Sequence, residues 1–435
     1  MRVSSFGHAA LGACAVFALL EGCSGTQAPI GAPGAVPQAS TFAPRTTTTN
    51  YRVIYDFGEA PDGSYPTARL IDVSGALYGT TAGGGSNSCA YYPYSPYHGC
   101  GTVFTVTPSG TEKVLYKFGP APDGSVPYGD LLDVSGKRYG TTVYGGAYTC
   151  GYPSQPFSCG TVFSISTSGA EKVLHNFGHG GDGQYPVAGL IKVKGTLYGT
   201  TSGGGANYCA SSSYDIRCGT VFSITTSGTE KVLHNFGKGT DGTTPLAGLI
   251  EVNGTLYGTT KYGGKHGFGT VFSITTSGTE KVLHSFGKGT DGATPLAGLI
   301  VVKGELYGTT ENGGANTCGG SSDRYSCGTV FSITTSGAEK VLRSFGRASD
   351  GYSPVAGLTE VNGTLYGTTY LGGAHAAGTL FSITTSGTEK VLHSFGSSSD
   401  GRLPYAGLTD VNGTLYGTTY TGGAYNDGTI FALKP

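Results

Sequence analysis

The chain of 435 residues contains 78 Gly and 29 Tyr, no Trp, a single Met and only 12% charged residues. Turn-forming and β-forming residues therefore dominate over the Glu, Lys, Leu and Ala that build helices, and we expect an all-β body with almost no helix. The net charge is −1 and no run of Lys or Arg exceeds two residues, which excludes the basic surface that a nucleic-acid-binding protein needs.

The N-terminal segment 1–22 has the features of a signal peptide. One Arg precedes an apolar stretch at 9–20, which is too short to span a bilayer as a mature helix. The segment leads into Leu-Glu-Gly-Cys, which resembles a bacterial lipobox in which Cys23 carries the lipid. Glu21 departs from the small residue usual there, so plain secretion stays open beside the favoured lipidation.

Residues 23–50 are rich in Ala, Pro, Gly and Thr and show no apolar periodicity, which is typical of a flexible tether. We expect this tether to hold the folded body, residues 51–435, at the bacterial cell envelope or surface. The lipid on Cys23 would be the body's membrane contact.

The cysteines support export to an oxidising compartment. Two of the ten precede the folded body, and the other eight fall into four close pairs, each between a Gly-Gly and a Gly-Thr-Val-Phe. The pairs are Cys89 and Cys100, Cys150 and Cys159, Cys209 and Cys218, and Cys318 and Cys327. Zinc ligands are usually two to four residues apart or interleaved with His, so we expect four local disulfides and no metal.

One phrase, Val-Asn-Gly-Thr-Leu-Tyr-Gly-Thr-Thr, begins at 252, 361 and 411, and four looser copies bring the total to seven. In the copy at 247–286, two β-rich runs flank Asn-Gly, which suits a type I′ hairpin turn. Two further runs, Gly-Thr-Val-Phe-Ser-Ile-Thr and Glu-Lys-Val-Leu-His-Ser-Phe, flank Ser-Gly. Each repeat is therefore predicted to be a four-stranded antiparallel meander, with strands a to d.

Such a meander cannot bury its own two faces, but stacked copies can. The Asp-Gly of the linker recurs seven times at intervals of 50 to 61 residues, which predicts a seven-bladed β-propeller. The predicted blades are 68–118, 129–177, 188–236, 247–286, 297–345, 356–395, and 406–433 with 51–57. Because 51–57 matches strand d and 429–433 matches strand c, we expect these two segments to pair and close the ring.

The order of these motifs across 51–435 resembles the GloVer tandem repeat of bacterial surface proteins, and more distantly the kelch repeat, which places a di-Gly after strand b. The resemblance implies a propeller at the cell surface. It brings no assigned chemistry and no cofactor.

Residues repeated in every copy are interpreted as architectural. The Glu that follows the c–d turn in six copies is expected to be solvated, and the His on four outer strands to be a polar ring-edge position that binds no metal. These Glu are Glu112, Glu171, Glu230, Glu280, Glu339 and Glu389. These His are His175, His234, His284 and His393, with Tyr116 and Arg343 in their place elsewhere.

Function is expected where the seven copies differ, above all in the loops between strands b and c. These loops have 8 residues in blades four, six and seven, 17 in blades two, three and five, and 19 in blade one, and only the long loops carry a Cys pair. In a meander they share one face with the d–a linkers. Candidate ligand-binding residues are Tyr91, Tyr92, Tyr94, Tyr97, Tyr148, Tyr152, Phe157, Tyr208, Tyr214 and Tyr325. Tyr suits recognition surfaces, although these rings could instead pack their own loops.

A second asymmetry lies on strand a, where five copies have Ala-Gly-Leu but blades one and two carry Arg69 and Asp130. If strand a is innermost, these two side chains lie near the channel and could pair. A structural ion pair is the favoured interpretation, and a ligand-binding or catalytic pair is the alternative.

The sequence therefore predicts a monomeric, non-enzymatic binding module for an extracellular glycan or protein. The alternative is a polysaccharide lyase or hydrolase with its site at the channel mouth. Such enzymes need converging acids or a base beside a charge-neutralising group, whereas most acids here repeat by symmetry. We assign no catalytic residue, and we expect no cofactor or metal.

Overall fold

The computed structural model describes residues 50–58, 61–85, 89, 98–152, 155–209, 218–318, 327–346, 349–397 and 399–435, with the backbone alone at 151–152 and 155–157. The described residues form seven blades, most of them four-stranded antiparallel sheets, and contain no helix. The inner strands a are Ile71–Val73, Leu132–Val134, Ile191–Val193, Ile250–Val252, Ile300–Val302, Thr359–Val361 and Thr409–Val411. Strands b are Ala76–Thr81, Lys137–Gly145, Thr196–Thr201, Thr255–Thr260, Glu305–Thr310, Thr364–Thr369 and Thr414–Thr419.

Strands c and d complete each blade. Strands c are Thr102–Val106, Thr161–Ile165, Thr220–Ile224, Thr270–Thr275, Thr329–Ile333, Thr379–Thr384 and Thr429–Leu433. Strands d are Glu112–Lys117, Glu171–Asn176, Glu230–Asn235, Glu280–Ser285, Glu339–Ser344, Glu389–Ser394 and Tyr51–Asp56. The all-β propeller predicted from the repeats is therefore confirmed.

The ring is closed by the N-terminal strand, as predicted. Tyr51–Asp56 pairs antiparallel with Thr429–Leu433, with Tyr51 opposite Leu433 and Asp56 opposite Thr429. The pairing skips Ile54, and the other six c–d pairs show the same register shift. The closing strand thus reproduces the bulge of a covalently continuous blade, which is a specific pairing and not an incidental contact.

Two details of the sheets differ from the sequence-based expectation. Strand a has only three residues in each blade, because the Ala-Gly-Leu that precedes it lies outside the ladder. Blade two has five strands, because the linker strand Gly124–Pro127 pairs with the extended strand Lys137–Gly145. The remaining strands are short: Gly63–Ser64, Gly83–Gly84, Thr149–Tyr152, Gln155–Ser158, Gly242–Thr243, Tyr262–Gly263, Gly401–Arg402 and Thr421–Gly422.

Turn chemistry matches the a–b hairpins. Asn253 and Gly254 both have positive φ, at 51° and 84°, as a type I′ turn requires. This turn places three residues of strand a against strand b, with Val252 opposite Thr255. The short hairpin leaves the preceding Ala-Gly-Leu free to lie on the inner side of the ring.

The hydrophobic core lies between blades. A fully buried Phe just after each strand d packs against the buried Phe on strand c of the next blade, with ring centroids 5.1 or 5.2 Å apart. The pairs are Phe57 with Phe104, Phe118 with Phe163, Phe177 with Phe222, Phe236 with Phe272, Phe286 with Phe331, Phe345 with Phe381, and Phe395 with Phe431. Each blade therefore gains its apolar burial from its neighbours.

The repeated Tyr-Gly-Thr-Thr of strand b is required by this packing. A Cβ on Gly79 would lie 2.6 Å from the Phe104 ring, so only Gly admits the aromatic side chain. The last Thr of the motif binds the Thr that opens strand c, and in blade one Thr81 Oγ1 lies 2.8 Å from Thr102 Oγ1. The same Thr–Thr hydrogen bond recurs in the other six blades.

In the part of the chain that the structure describes, no helix has the length and apolar character needed to cross a membrane. The predicted signal peptide, the lipobox Cys23 and the tether up to residue 49 lie outside the described residues.

Candidate functional site: the loop face and the ring axis

The b–c loops and the d–a linkers interlock on one face, called here the loop face. In blade one the linker strand Gly63–Ser64 pairs with Gly83–Gly84 at the start of the b–c loop. The linker also reaches the blade before it, and Tyr65 donates its backbone N–H to the Asp427 carbonyl at 2.8 Å. Equivalent bonds join the other six linkers to the preceding blade. The loops therefore rest on a rigid rim of hydrogen-bonded backbone.

All four predicted disulfides are present. Cys89 bonds Cys100, Cys150 bonds Cys159, Cys209 bonds Cys218, and Cys318 bonds Cys327. The second cysteine of each pair is buried at the end of its loop, just before strand c. Each disulfide therefore ties the middle of its loop to the buried end of that loop.

Two of the predicted recognition tyrosines are exposed on this face. Tyr148 is 41% exposed and Tyr208 is 57% exposed, and the Tyr148 ring lies 5.3 Å from the His179 ring. The backbones of Tyr152 and Phe157 belong to a small hairpin, whose side chains are not described. The remaining candidates lie outside the described residues: Tyr91, Tyr92, Tyr94, Tyr97, Tyr214 and Tyr325.

The short loops also expose aromatic rings, which are not among the ligand-binding residues predicted from the sequence. Tyr262 is 44% exposed, Phe268 is 49% exposed and Tyr425 is 61% exposed. Five of the six exposed large apolar side chains in the described residues therefore lie in b–c loops, the sixth being Val301 on a strand a. One signal was readable in the sequence, because Tyr425 stands in Gly-Gly-Ala-Tyr, the same motif that holds Tyr148.

An open groove of about 450 Å³ lies at the ring seam beside Tyr425. Its other lining residues are Tyr55, Asp56, Gly58 and Asp62. Asp62 is committed to the fold, since its carboxylate accepts hydrogen bonds from the Tyr55 hydroxyl and from the Gly58 backbone N–H. Asp56 likewise accepts the Ala424 backbone N–H. Both carboxylates of the groove are thus already hydrogen-bonded within the protein. What the groove offers a ligand is a concave surface beside the Tyr425 ring.

Arg69 and Asp130 form the predicted ion pair. Arg69 Nε lies 3.4 Å from Asp130 Oδ2, and the Arg69 backbone N–H donates to Asp130 Oδ1 at 2.8 Å. They occupy the position held by Gly in the other five blades, where each Gly lies close to the carbonyl of the equivalent residue in the blade before it, as Gly298 does to Gly248. Both side chains are about two-fifths exposed.

The six repeated Glu are not solvated, which corrects the sequence-based expectation. Each has one carboxylate oxygen buried without a hydrogen-bond partner. Burial raises the pKa of Glu112, Glu171, Glu230 and Glu339 to about 7, and it also raises the pKa of Glu280 and Glu389. The reason is a contact between blades, because the start of each strand d lies against the linker Asp of the preceding blade.

Three of the four outer-strand His lie beside the same linker Asp as one of these Glu. His175 Nε2 lies 2.9 Å from Asp182 Oδ2, and these two residues and Glu230 offer ligand atoms within 4.8 Å of one another. Tyr55 and Arg343 fill the equivalent position and bind their own linker Asp through a hydroxyl and a guanidinium. The His, Tyr and Arg at this position therefore all bind the linker Asp. This shared hydrogen bond explains the His without a metal.

Comparison with known sequences gives the family. The sequence model of the Gloeobacter/Verrucomicrobia repeat matches residues 34–213, 98–322 and 320–435, which together cover most of the chain. The chain belongs to the Gloeobacter/Verrucomicrobia repeat family. A search of curated proteins finds no match to this member of the family.

Solved structures resemble this repeat protein only distantly. A putative 6-phosphogluconolactonase from Bacteroides uniformis is 13% identical, with 76% of this chain and 87% of that chain covered and a TM-score of 0.45. A puromycin hydrolase is 10% identical, with 83% and 53% covered and a TM-score of 0.47. An α-L-arabinofuranosidase from Clostridium thermocellum is 14% identical, with 53% and 80% covered and a TM-score of 0.31. Likeness at this level carries no argument about function.

Proposed function

We propose that this propeller is an exported, surface-displayed binding module that contacts an extracellular glycan or protein through its loop face. The observation that carries the proposal is the concentration of exposed aromatic rings in the b–c loops, where Tyr148, Tyr208, Tyr262, Phe268 and Tyr425 are each more than two-fifths exposed. Exposed apolar side chains that concentrate on one face of a protein are typical of an interaction surface. Tyr in particular offers flat apolar area with a hydrogen-bonding tip.

The disulfides support both export and binding. They persist in oxidising compartments, and in this chain they occur only in the long loops, which fixes the ends of the segments that carry many of the candidate rings. A loop fixed in advance loses less entropy on binding, which favours affinity. Anchoring through Cys23 would leave the loop face available to ligands.

Binding to arrays of extracellular glycans and envelope proteins tests the proposal. The chain lacking residues 1–22 is compared with a variant in which Tyr148, Tyr208, Tyr262 and Tyr425 are changed to Ala, and with the control Val301→Ala, whose exposed side chain lies outside the loops. We expect the control to bind like the wild type and the loop variant to lose at least tenfold in affinity. Binding that is unchanged in the loop variant, or turnover of a bound glycan, would overturn the proposal.

A further inference from the structure

Two positions per blade depart from sevenfold symmetry around the axis of the loop face. The residue directly after Tyr-Gly-Thr-Thr is Ala82, Val143, Ser202, Lys261, Glu311, Tyr370 and Tyr420 in blades one to seven. The residue directly after the linker Pro is Thr67, Tyr128, Val187, Leu246, Leu296, Val355 and Tyr405. Aromatic residues therefore gather in blades two, six and seven, and the two charged residues lie in blades four and five.

Ring contacts bring the aromatic residues together at the axis. Tyr128 and Tyr405 meet edge to face with ring centroids 5.7 Å apart, although blade one separates their blades in the ring. Such a contact between non-adjacent blades is possible only near the axis. Tyr370 lies 5.9 Å from Tyr405, and Tyr420 lies 6.3 Å from it, so four tyrosines from three blades converge there.

Lys261 and Glu311 hold in blades four and five the position that Tyr370 and Tyr420 hold in blades six and seven, so the symmetry of the ring places them around the same axis. Burial raises the pKa of the Glu311 carboxyl, and the neighbouring Lys261 ammonium lowers it. Burial raises the pKa of Tyr405, a side-chain hydrogen bond with Tyr128 lowers it, and the Glu311 charge adds to the rise. The carboxylate, the ammonium and the tyrosine hydroxyls are therefore parts of one cluster. All six side chains are partly buried and keep some exposure to solvent.

We propose that this axial cluster, formed by Tyr128, Tyr370, Tyr405, Tyr420, Lys261 and Glu311, binds one neutral pyranose ring of a glycan. Tyrosine rings offer flat faces to the C–H groups of a sugar, and their hydroxyls offer donors and acceptors. Glu311 accepts and Lys261 donates hydrogen bonds to sugar hydroxyls. A few converging polar groups on an aromatic wall are the usual composition of a small-ligand site.

The presence of both charges decides the class of sugar. An acidic sugar would pair with Lys261 and leave Glu311 uncompensated, and an amino sugar would do the reverse. Because a partly desolvated charge without a partner is costly, the pair favours a ligand that is neutral and rich in hydroxyls. The inference rests on the proposed function in placing the ligand on the loop face, but the exposed rings of Tyr148, Tyr208 and Tyr425 are not part of the cluster.

The repeats themselves supply variants that should fold. The position of Glu311 and Tyr370 is Ser202 in blade three and Ala82 in blade one, so Glu311→Ser and Tyr370→Ala introduce residues that the same site already holds elsewhere. A matched control for the carboxylate is Glu251→Ser on strand a, since Glu251 is exposed and lies in neither the cluster nor a b–c loop. Melting temperature checks that each variant is folded.

Binding of methyl pyranosides is measured by saturation-transfer NMR and by tyrosine fluorescence, which the absence of Trp leaves unobscured. The probes are methyl glucoside, methyl galactoside and methyl mannoside, with glucuronate and glucosamine as charged counterparts. We expect at least one neutral pyranoside to bind the wild type, with at least a tenfold loss in Glu311→Ser and Tyr370→Ala. Glu251→Ser and a loop variant with only Tyr148, Tyr208 and Tyr425 changed to Ala should bind the pyranoside like the wild type. Tyr262 is kept in this variant because the Lys261 ammonium lies 5.1 Å from the centre of its ring.

Three results would overturn the inference. They are no binding of any neutral pyranoside, stronger binding of a charged sugar, or neutral-sugar binding that survives both axial variants. The last would mean that the tyrosines only plug the channel. The loop variant could lose glycan-array binding and still bind the neutral pyranoside like the wild type. That result would support the axial site and show that the loops are a separate contact.

Discussion

Tyr51 donates its hydroxyl to Asp400 Oδ1 at 2.5 Å, across the junction between the N-terminal strand and the linker that joins blades six and seven. The Tyr51 ring also stacks on His393, with centroids 3.7 Å apart and planes 7° apart. Tyr51 occupies the place that Glu holds at the start of the other six strands d. At the ring closure, a neutral donor thus replaces a half-buried acid beside the linker Asp.

Tyr51→Phe should remove one hydrogen bond to a buried carboxylate, at a cost of about 1.5 to 3 kcal/mol in the free energy of unfolding. Asp400 is only 8% exposed, so water cannot easily replace the lost donor. Denaturant unfolding measures the change, with Tyr425→Phe as the control because Tyr425 is 61% exposed. Equal stability of the two variants would show that the Tyr51 hydroxyl does not secure the closure.

The six half-buried Glu predict stability that declines as pH rises. Their pKa is raised from 4.5 to about 7 in the four largest cases, so the fold favours the protonated form. This contribution is complete below the unfolded pKa of 4.5 and is lost as pH rises towards 7. We expect a higher melting temperature at about pH 5 than at about pH 8.

Neutral substitutions isolate that effect. Glu112→Gln and Glu171→Gln should each raise the melting temperature at about pH 8 by roughly 1 to 3 °C and leave it nearly unchanged at about pH 5. Glu251→Gln is the control, because this exposed residue only accepts a hydrogen bond from Gly254 in its own turn. A pH profile identical in wild type and Glu112→Gln would contradict burial of the carboxyl between blades.

Arg138 provides a test of core packing. Its side chain is 3% exposed, with the guanidinium 4.1 Å from the centre of the Tyr78 ring and Nε 3.4 Å from Asp133 Oδ1. The other six blades have a fully buried Leu at this position. We expect Arg138→Leu to be neutral or stabilising by about 1 to 4 kcal/mol, and Arg138→Ala to cost about 2 to 5 kcal/mol. Equal losses in both would contradict an interchangeable apolar site.

The repeats made the fold predictable, because each local signal recurs seven times and the terminal segments match the missing strands. The disulfide partners were predictable for the same reason, since each pair lies within one loop. Contacts between residues of different blades were not predictable from the sequence. The burial of Glu112 depends on the linker of the preceding blade, and the meeting of Tyr128 with Tyr405 depends on the geometry of the ring. Neither contact follows from the order of residues within one repeat.

Residues 51–57 close the ring by completing the seventh blade. Removing this segment should expose strand Thr429–Leu433 and the apolar side of blade one, and so abolish the cooperative unfolding transition. A synthetic peptide of residues 50–58 should then bind the shortened chain and restore the transition, whereas a scrambled peptide should not. A shortened chain that unfolds cooperatively at the wild-type midpoint, with no effect of the peptide, would contradict the account.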